Sequence, residues 1–102
     1  MGEALPFLLW RVNQALSRLE NTQTRSFREI FEAHFHVTTS GNFSNPALLC
    51  TVQEMGIDRV MFSVDYPFVE NQLGANWAEQ LSFSREDREK ILNGNARRLL
   101  RL

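Results

Sequence analysis

Apolar positions along the chain recur at two spacings, one helical and one that of short strands. Leu5, Leu8, Leu9, Val12, Leu16 and Leu19 lie three and four apart, which predicts a helix over about residues 6–20 with one apolar stripe. Pro6 suits its first turn, where a missing N–H costs nothing. Asn21-Thr22-Gln23-Thr24 reads as a polar connection. Ser26 and Glu29 then form a capping-box pattern for a short helix with Phe27, Ile30 and Phe31 on its apolar face. The pattern switches at Phe35-His36-Val37-Thr38-Thr39, a β-branched and aromatic run that predicts a strand, and Ser40-Gly41-Asn42 ends it as a turn.

Asn45-Pro46 opens the next helix, Leu48, Leu49, Val52 and Met55 form its stripe, and Gly56 is placed to cap its end. Val60-Met61-Phe62-Ser63-Val64 follows as a nearly continuous apolar run, the pattern of a strand covered on both faces. Pro67 cannot donate to a ladder, so pairing should stop around Tyr66. Strand, helix and strand in this order predict a βαβ unit, and the crossover rule makes its strands parallel. Leu73, Trp77 and Leu81 predict a helix over 69–81 despite Gly74. Ser84 and Asp87 open another over 85–92, Asn93-Gly94 punctuates it, and 95–100 makes a last short helical segment. The predicted fold class is α/β, two parallel strands with flanking helices in one partial domain over residues 1–102. Two parallel strands cannot close a sheet, and their open edges invite association, so the chain reads as a portion of something larger.

Composition narrows the classes. With 11 basic and 12 acidic residues the formal charge is −1, which argues against a nucleic-acid partner. No apolar run approaches the ~20 residues of a membrane span, and no signal-peptide pattern opens the chain. The single cysteine, Cys50, excludes an internal disulfide and is expected to be a buried small hydrophobe.

The candidate chemistry lies at the end of the second strand. Asp65 follows the apolar run directly, beside Tyr66 and Phe68, where α/β proteins build ligand sites. An aspartate there is also a common turn residue that bonds nearby amides. His34-Phe35-His36 has the spacing of a ligand pair, but it sits at the amino end of its strand, away from that face.

Several runs together carry a resemblance. They are Met1-Gly2-Glu3 with Leu5-Pro6 and Trp10-Arg11, Thr38-Thr39-Ser40-Gly41-Asn42-Phe43, Gly56-Ile57-Asp58-Arg59, Phe62-Ser63-Val64-Asp65-Tyr66-Pro67-Phe68, and Asn95-Ala96-Arg97-Arg98-Leu99. In this order and spacing the chain resembles the metal-dependent decarboxylase branch of the amidohydrolase superfamily, nearest to the hydroxybenzoate decarboxylases. The resemblance implies the carboxyl-terminal portion of a (β/α)8 TIM barrel, with the two strands as the seventh and eighth. A typical barrel has about 250 residues, so this chain would be the last two-fifths or so.

The resemblance also implies roles. Asp65 matches a catalytic aspartate that ligates the metal and handles the proton at the ring carbon. Glu3 matches a catalytic glutamate that orients a histidine lying just ahead of the family's Met-Gly-Glu. Arg11 matches an arginine near the substrate carboxylate, and Phe68 is the aromatic residue expected to line the substrate pocket. The intact enzyme is expected to be a cytoplasmic homo-oligomer that uses zinc or manganese on a small hydroxylated aromatic carboxylic acid. Of the family's metal ligands only Asp65 is in this sequence, so the chain alone is expected to be a truncated, inactive fragment that holds no metal. Two other functions fit the same residues: a metal-dependent hydrolase of a C–N or lactone bond, and a non-catalytic interaction fragment.

Overall fold

The computed structural model describes residues 1, 2, 4–19 and 24–102. Helix α1 spans Leu5–Ser17, α2 Phe27–His34, α3 Asn45–Met55, α4 Asn71–Glu79, α5 Arg85–Glu89 and α6 Asn95–Leu100. Strands β1 (Val37–Thr38) and β2 (Val60–Met61) pair in parallel, Val37 opposite Val60 and Thr38 opposite Met61. The βαβ crossover is therefore present, with α3 between the strands. The expected connection at residues 21–23 lies outside the described residues.

The helix starts follow their local chemistry. Ser26 accepts from the Glu29 N–H while the Glu29 carboxylate takes the Ser26 N–H at 2.7 Å, so the capping box is complete. Ser44 and Ser84 cap α3 and α5 in the same way through their side-chain oxygens. Asn13 of α1 accepts the Arg28 N–H at 3.0 Å, and the Arg28 guanidinium reaches Glu54 on α3 at 2.5 Å. These contacts tie α1, α2 and α3 together. Gly56 ends α3 at φ 82°, and a single 3-10 turn (Ile57–Arg59) leads into β2.

The core is one cluster of Leu9, Phe31, Val37, Leu48, Met55, Val60, Leu81 and Ile91 with Met1. Three expectations about burial are corrected here. The stripe predicted for α1 is not core: Pro6 and Leu9 are buried, while Leu5, Leu8, Leu16 and Leu19 stay exposed. The helix packs on α2 and α3 from one side, and that side does not coincide with the stripe. Cys50 is only half-buried, because it lies beside the buried line of Leu48, Thr51 and Met55 on α3. On α4 it is Gly74 that is buried, and Leu73 is exposed. A Cβ at Gly74 would come within 2.8 Å of Val64 and 2.9 Å of Phe43, so the helix approaches the strand end at its glycine.

The strands are also shorter than 35–39 and 60–64, and Asn93-Gly94 does not break the last helix. The second correction has its cause across the chain. From Lys90 to Gly94 the helix widens into a π turn and runs on into α6. The Asn95 N–H bonds to the Lys90 carbonyl, five residues back, and so leaves the Ile91 carbonyl to take the Phe62 N–H at 2.8 Å. Asn95, 1% exposed, donates both amide protons to strand-side carbonyls, Ile57 O and Val60 O, each at 2.8 Å. Its own oxygen accepts from Arg98 at 3.1 Å. Helix atoms thus occupy the outer edge of β2.

The Cα radius of gyration is 15.1 Å. A compact chain of this length has about 13 Å. The excess agrees with a fold that is open at its edges.

Removing the Asn95 amide would take the donor from the buried Val60 carbonyl, while the Ile57 carbonyl keeps the Val60 N–H, a loss of about 1–3 kcal/mol. Asn95→Ala is expected to lower the unfolding free energy by about 1–3 kcal/mol in urea titration. An unchanged midpoint would refute this account of the edge.

Candidate functional site at the carboxyl ends of the strands

Both strands end in residues that leave extended geometry. Ser40 (φ 44°) and Asp65 (φ 73°) are both in the left-handed region without being glycine, a conformation that costs about 1–3 kcal/mol each. Short polar side chains tolerate it best, which suits serine and aspartate. Between them, Gly41 (φ 75°) has no room for a side chain, since a Cβ would lie 2.6 Å from Val69 and 3.0 Å from the Val64 carbonyl.

A network of hydroxyls joins the two ends. Thr39, fully buried, accepts the Ser63 N–H at 2.8 Å and donates its hydroxyl proton to the Ser63 carbonyl at 2.5 Å. The Ser40 N–H reaches the Ser63 hydroxyl at 3.0 Å, and the Thr38 and Ser40 hydroxyls share a hydrogen bond of 2.6 Å. Downstream, the Asp65 carbonyl accepts from Phe68 N–H (2.9 Å) and Val69 N–H (3.2 Å), with a cis bond between Tyr66 and Pro67. Phe43, after the first turn, stacks on Phe62 and meets Trp77 of α4, whose indole N–H bonds to Asn45 at 2.7 Å.

The predicted residues are distributed as follows. Asp65 lies at the exposed mouth of β2, with Tyr66 and Phe68 beside it at 69% and 88% exposure. Two large aromatic rings turned outward around one carboxylate form a surface that a flat, partly apolar molecule would cover. Arg11 is on the exposed side of α1, and among the described residues its guanidinium makes no hydrogen bond or ion pair. Glu3 lies outside the described residues. Ser63 is visible in the sequence only as the polar break in the apolar run, and Thr39 only as part of the first strand. The signal was there in a threonine and a serine facing each other at the ends of adjacent strands.

No group of three or more His, Cys, Asp or Glu able to hold a metal occurs among the described residues. Asp65 offers one carboxylate, whereas zinc and the hard divalent cations take about four to eight ligands.

The other end of the strands is basic. His36 Nε2 lies 3.2 Å from the Arg59 guanidinium, which can only donate, so this nitrogen is the acceptor. Burial first, then the charges of Arg59 and Arg98, push the His36 pKa below its ordinary value. A neutral imidazole facing a guanidinium is a capped group, and His34 and His36 do not assemble a metal site.

Residues 22–102 match the amidohydrolase family model (Amidohydro_2), and the chain belongs to that family. Among characterised relatives, the γ-resorcylate decarboxylase of Polaromonas sp. (strain JS666) is 39% identical over the whole chain. The chain spans 32% of that relative's length. In three dimensions it is similar to a 2,6-dihydroxybenzoate decarboxylase complexed with 2,6-dihydroxybenzoate, with a TM-score of 0.89 at 37% identity over 99% of this chain and 32% of the other. It is equally similar (TM-score 0.89, 38% identity, 99% and 32% covered) to a dihydroxybenzoic acid decarboxylase from Polaromonas sp. JS666 with bound manganese and the inhibitor 2-nitroresorcinol. No helix of the described residues is long and apolar enough to cross a membrane.

The lowered His36 pKa sets a pH dependence. The unfolded chain takes up the proton first as pH falls through about 6.5, so stability falls with acidification between there and the lower folded value. A proton NMR titration is expected to give His36 a midpoint below the ordinary histidine range. Arg59→Gln is expected to move that midpoint upward, and a midpoint unchanged by the substitution would rule out the guanidinium's part.

Proposed function

We propose that this chain supplies the last two strands of a (β/α)8 barrel whose carboxyl face houses a divalent-metal-dependent decarboxylase of hydroxylated aromatic carboxylic acids. The observation that carries the reading is the Asp65 carboxylate at the exposed mouth of β2, flanked by the outward rings of Tyr66 and Phe68. Support comes from relatives that are decarboxylases of this class and that are 37–39% identical along the chain. Strand ends on this face are where such barrels gather their reactive groups.

Asp65 would serve as one ligand among donors brought by other strands, with manganese as the expected ion because a relative binds it. A divalent cation held there supplies Lewis acidity toward the phenolic and carboxylate oxygens. The protein's own step is proton delivery. Asp65 hands a proton to the ring carbon that bears the carboxylate, which requires hydrogen-bond reach of that carbon. The carbon–carbon bond then breaks, its electron pair stays with the ring and restores aromaticity, and carbon dioxide leaves. Arg11 offers a planar, two-pronged partner for the substrate carboxylate. Phe68 offers its face to the ring. Glu3 is assigned the orientation of a histidine brought by the rest of the barrel.

The test is a chimera in which this chain replaces the matching third of the Polaromonas decarboxylase. With manganese present, carbon dioxide release from 2,6-dihydroxybenzoate is expected. Asp65→Asn should lower kcat by about 10²–10⁴-fold. Arg11→Met should raise KM by about 10–100-fold with a smaller change in kcat. A folded chimera that cleaves a C–N or lactone bond and releases no carbon dioxide would replace this reading with a hydrolase. One that turns over nothing would remove it.

A further inference from the structure

We propose that Thr39 is a positioning residue for the Asp65 carboxylate, acting through a side-chain hydroxyl that stands in for a strand carbonyl. The inference rests on Asp65 being the reactive carboxylate; the geometry it concerns is measurable without any activity.

The Thr39 N–H bonds to the Met61 carbonyl at 3.0 Å, as a parallel ladder requires. The next ladder bond would run from the Ser63 N–H to the Thr39 carbonyl. That carbonyl instead accepts from the Asn42 N–H of the turn at 2.9 Å and from the Met1 nitrogen at 3.3 Å. The Ser63 N–H goes to the Thr39 hydroxyl at 2.8 Å, and the same hydroxyl returns its proton to the Ser63 carbonyl at 2.5 Å. One side-chain oxygen thus meets both main-chain groups of Ser63, because a hydroxyl is donor and acceptor at once, and the Ser63 carbonyl also takes the Gly41 N–H at 3.4 Å.

This substitution has a consequence two residues on. Ser63 is held to Thr39, and the Asp65 carbonyl is held by the Phe68 and Val69 N–H groups. Val64, between them, is confined by the close approaches of Gly41 and Gly74. The backbone at Asp65 is clamped from both directions in its left-handed conformation (φ 73°), and its side chain departs from that fixed frame. A strained conformation persists only where its surroundings over-determine it. Complete burial of Thr39 keeps water from competing for the bridge. A methyl group in place of the hydroxyl would keep the shape and lose the bridge.

The test uses NMR on the 102-residue chain with Thr39→Val and Thr39→Ser. Two local readouts report the geometry: the strong intraresidue HN–Hα cross-peak that marks positive φ at Asp65, and the exchange protection of the Ser63 amide. Thr39→Val is expected to lose the cross-peak and to speed Ser63 exchange by about tenfold or more, while the Thr51 amide of α3 keeps its protection. Thr39→Ser, which retains the hydroxyl, should keep both signals. Should the valine variant fail to fold, the serine variant still decides, since a folded Thr39→Ser chain without the Asp65 cross-peak overturns the proposal. So does a Thr39→Val chain that keeps it. A Ser63→Ala chain that loses the cross-peak with Thr39 intact would also overturn it, moving the role to the Ser40–Ser63 contact. In the chimera, Thr39→Ser is expected to restore turnover that Thr39→Val lowers. Absence of turnover in the unsubstituted chimera would count against the decarboxylase reading and leave the NMR result standing.

Discussion

A buried strand must find a partner for every main-chain group, and in this protein a two-strand sheet leaves β2 short of them. The chain meets the shortage with atoms that do not belong to strands. On one edge the Ile91 carbonyl and the Asn95 amide take the Phe62 N–H and the Val60 carbonyl. On the other, the Thr39 hydroxyl takes the Ser63 N–H and shares the Ser63 carbonyl with the Gly41 N–H. An unmade bond inside the core would cost about 1–3 kcal/mol per group, so each stand-in matters on the scale of total stability.

These stand-ins explain local geometry that would otherwise look arbitrary. The π turn exists where one carbonyl has to leave the helix for the strand, and Asn95 follows it directly. The glycines at 41 and 74 are the points of closest approach around the mouth, one on the β1 turn and one on α4. Ser40 and Asp65 take left-handed backbone where the two strand ends are stitched together. Rigidity at the mouth therefore comes from main-chain satisfaction, with side-chain packing of Phe43, Phe62 and Trp77 behind it.

The two ends of the strand pair have opposite character. At the amino end, His36, Arg59 and Arg98 lie together, with Asp58 paired to Lys90 at 3.4 Å and to Arg98 at 3.6 Å. That cluster is basic, with Asp58 shared by two of its cations. The carboxyl end presents the exposed Asp65, followed in the chain by the exposed rings of Tyr66 and Phe68. The stripe on α1 is exposed too, since an apolar face keeps its water until another element covers it.

Local chemistry was legible in the sequence wherever the cause was local. The Ser26–Glu29 capping box, the Ser84 cap, the end of α3 at Gly56 and the βαβ order all follow from residues close together in the chain, and the Asp65–Phe68 corner was visible as a strand end followed by proline. What depended on contacts across the chain was not legible. The Asn93-Gly94 pair reads as a stop, and only the Phe62 N–H, some thirty residues earlier, turns it into a π turn. Leu5, Leu8, Leu16 and Leu19 have the spacing of a core stripe, but spacing says nothing about whether a neighbour arrives. Cys50 and Leu73 were misjudged for the same reason, because a helix's buried line is chosen by what packs on it. Sequence periodicity determined which elements form; tertiary contact alone decided which faces they bury and which backbone groups leave the ladder, since hydrogen bonding and burial are settled between distant residues.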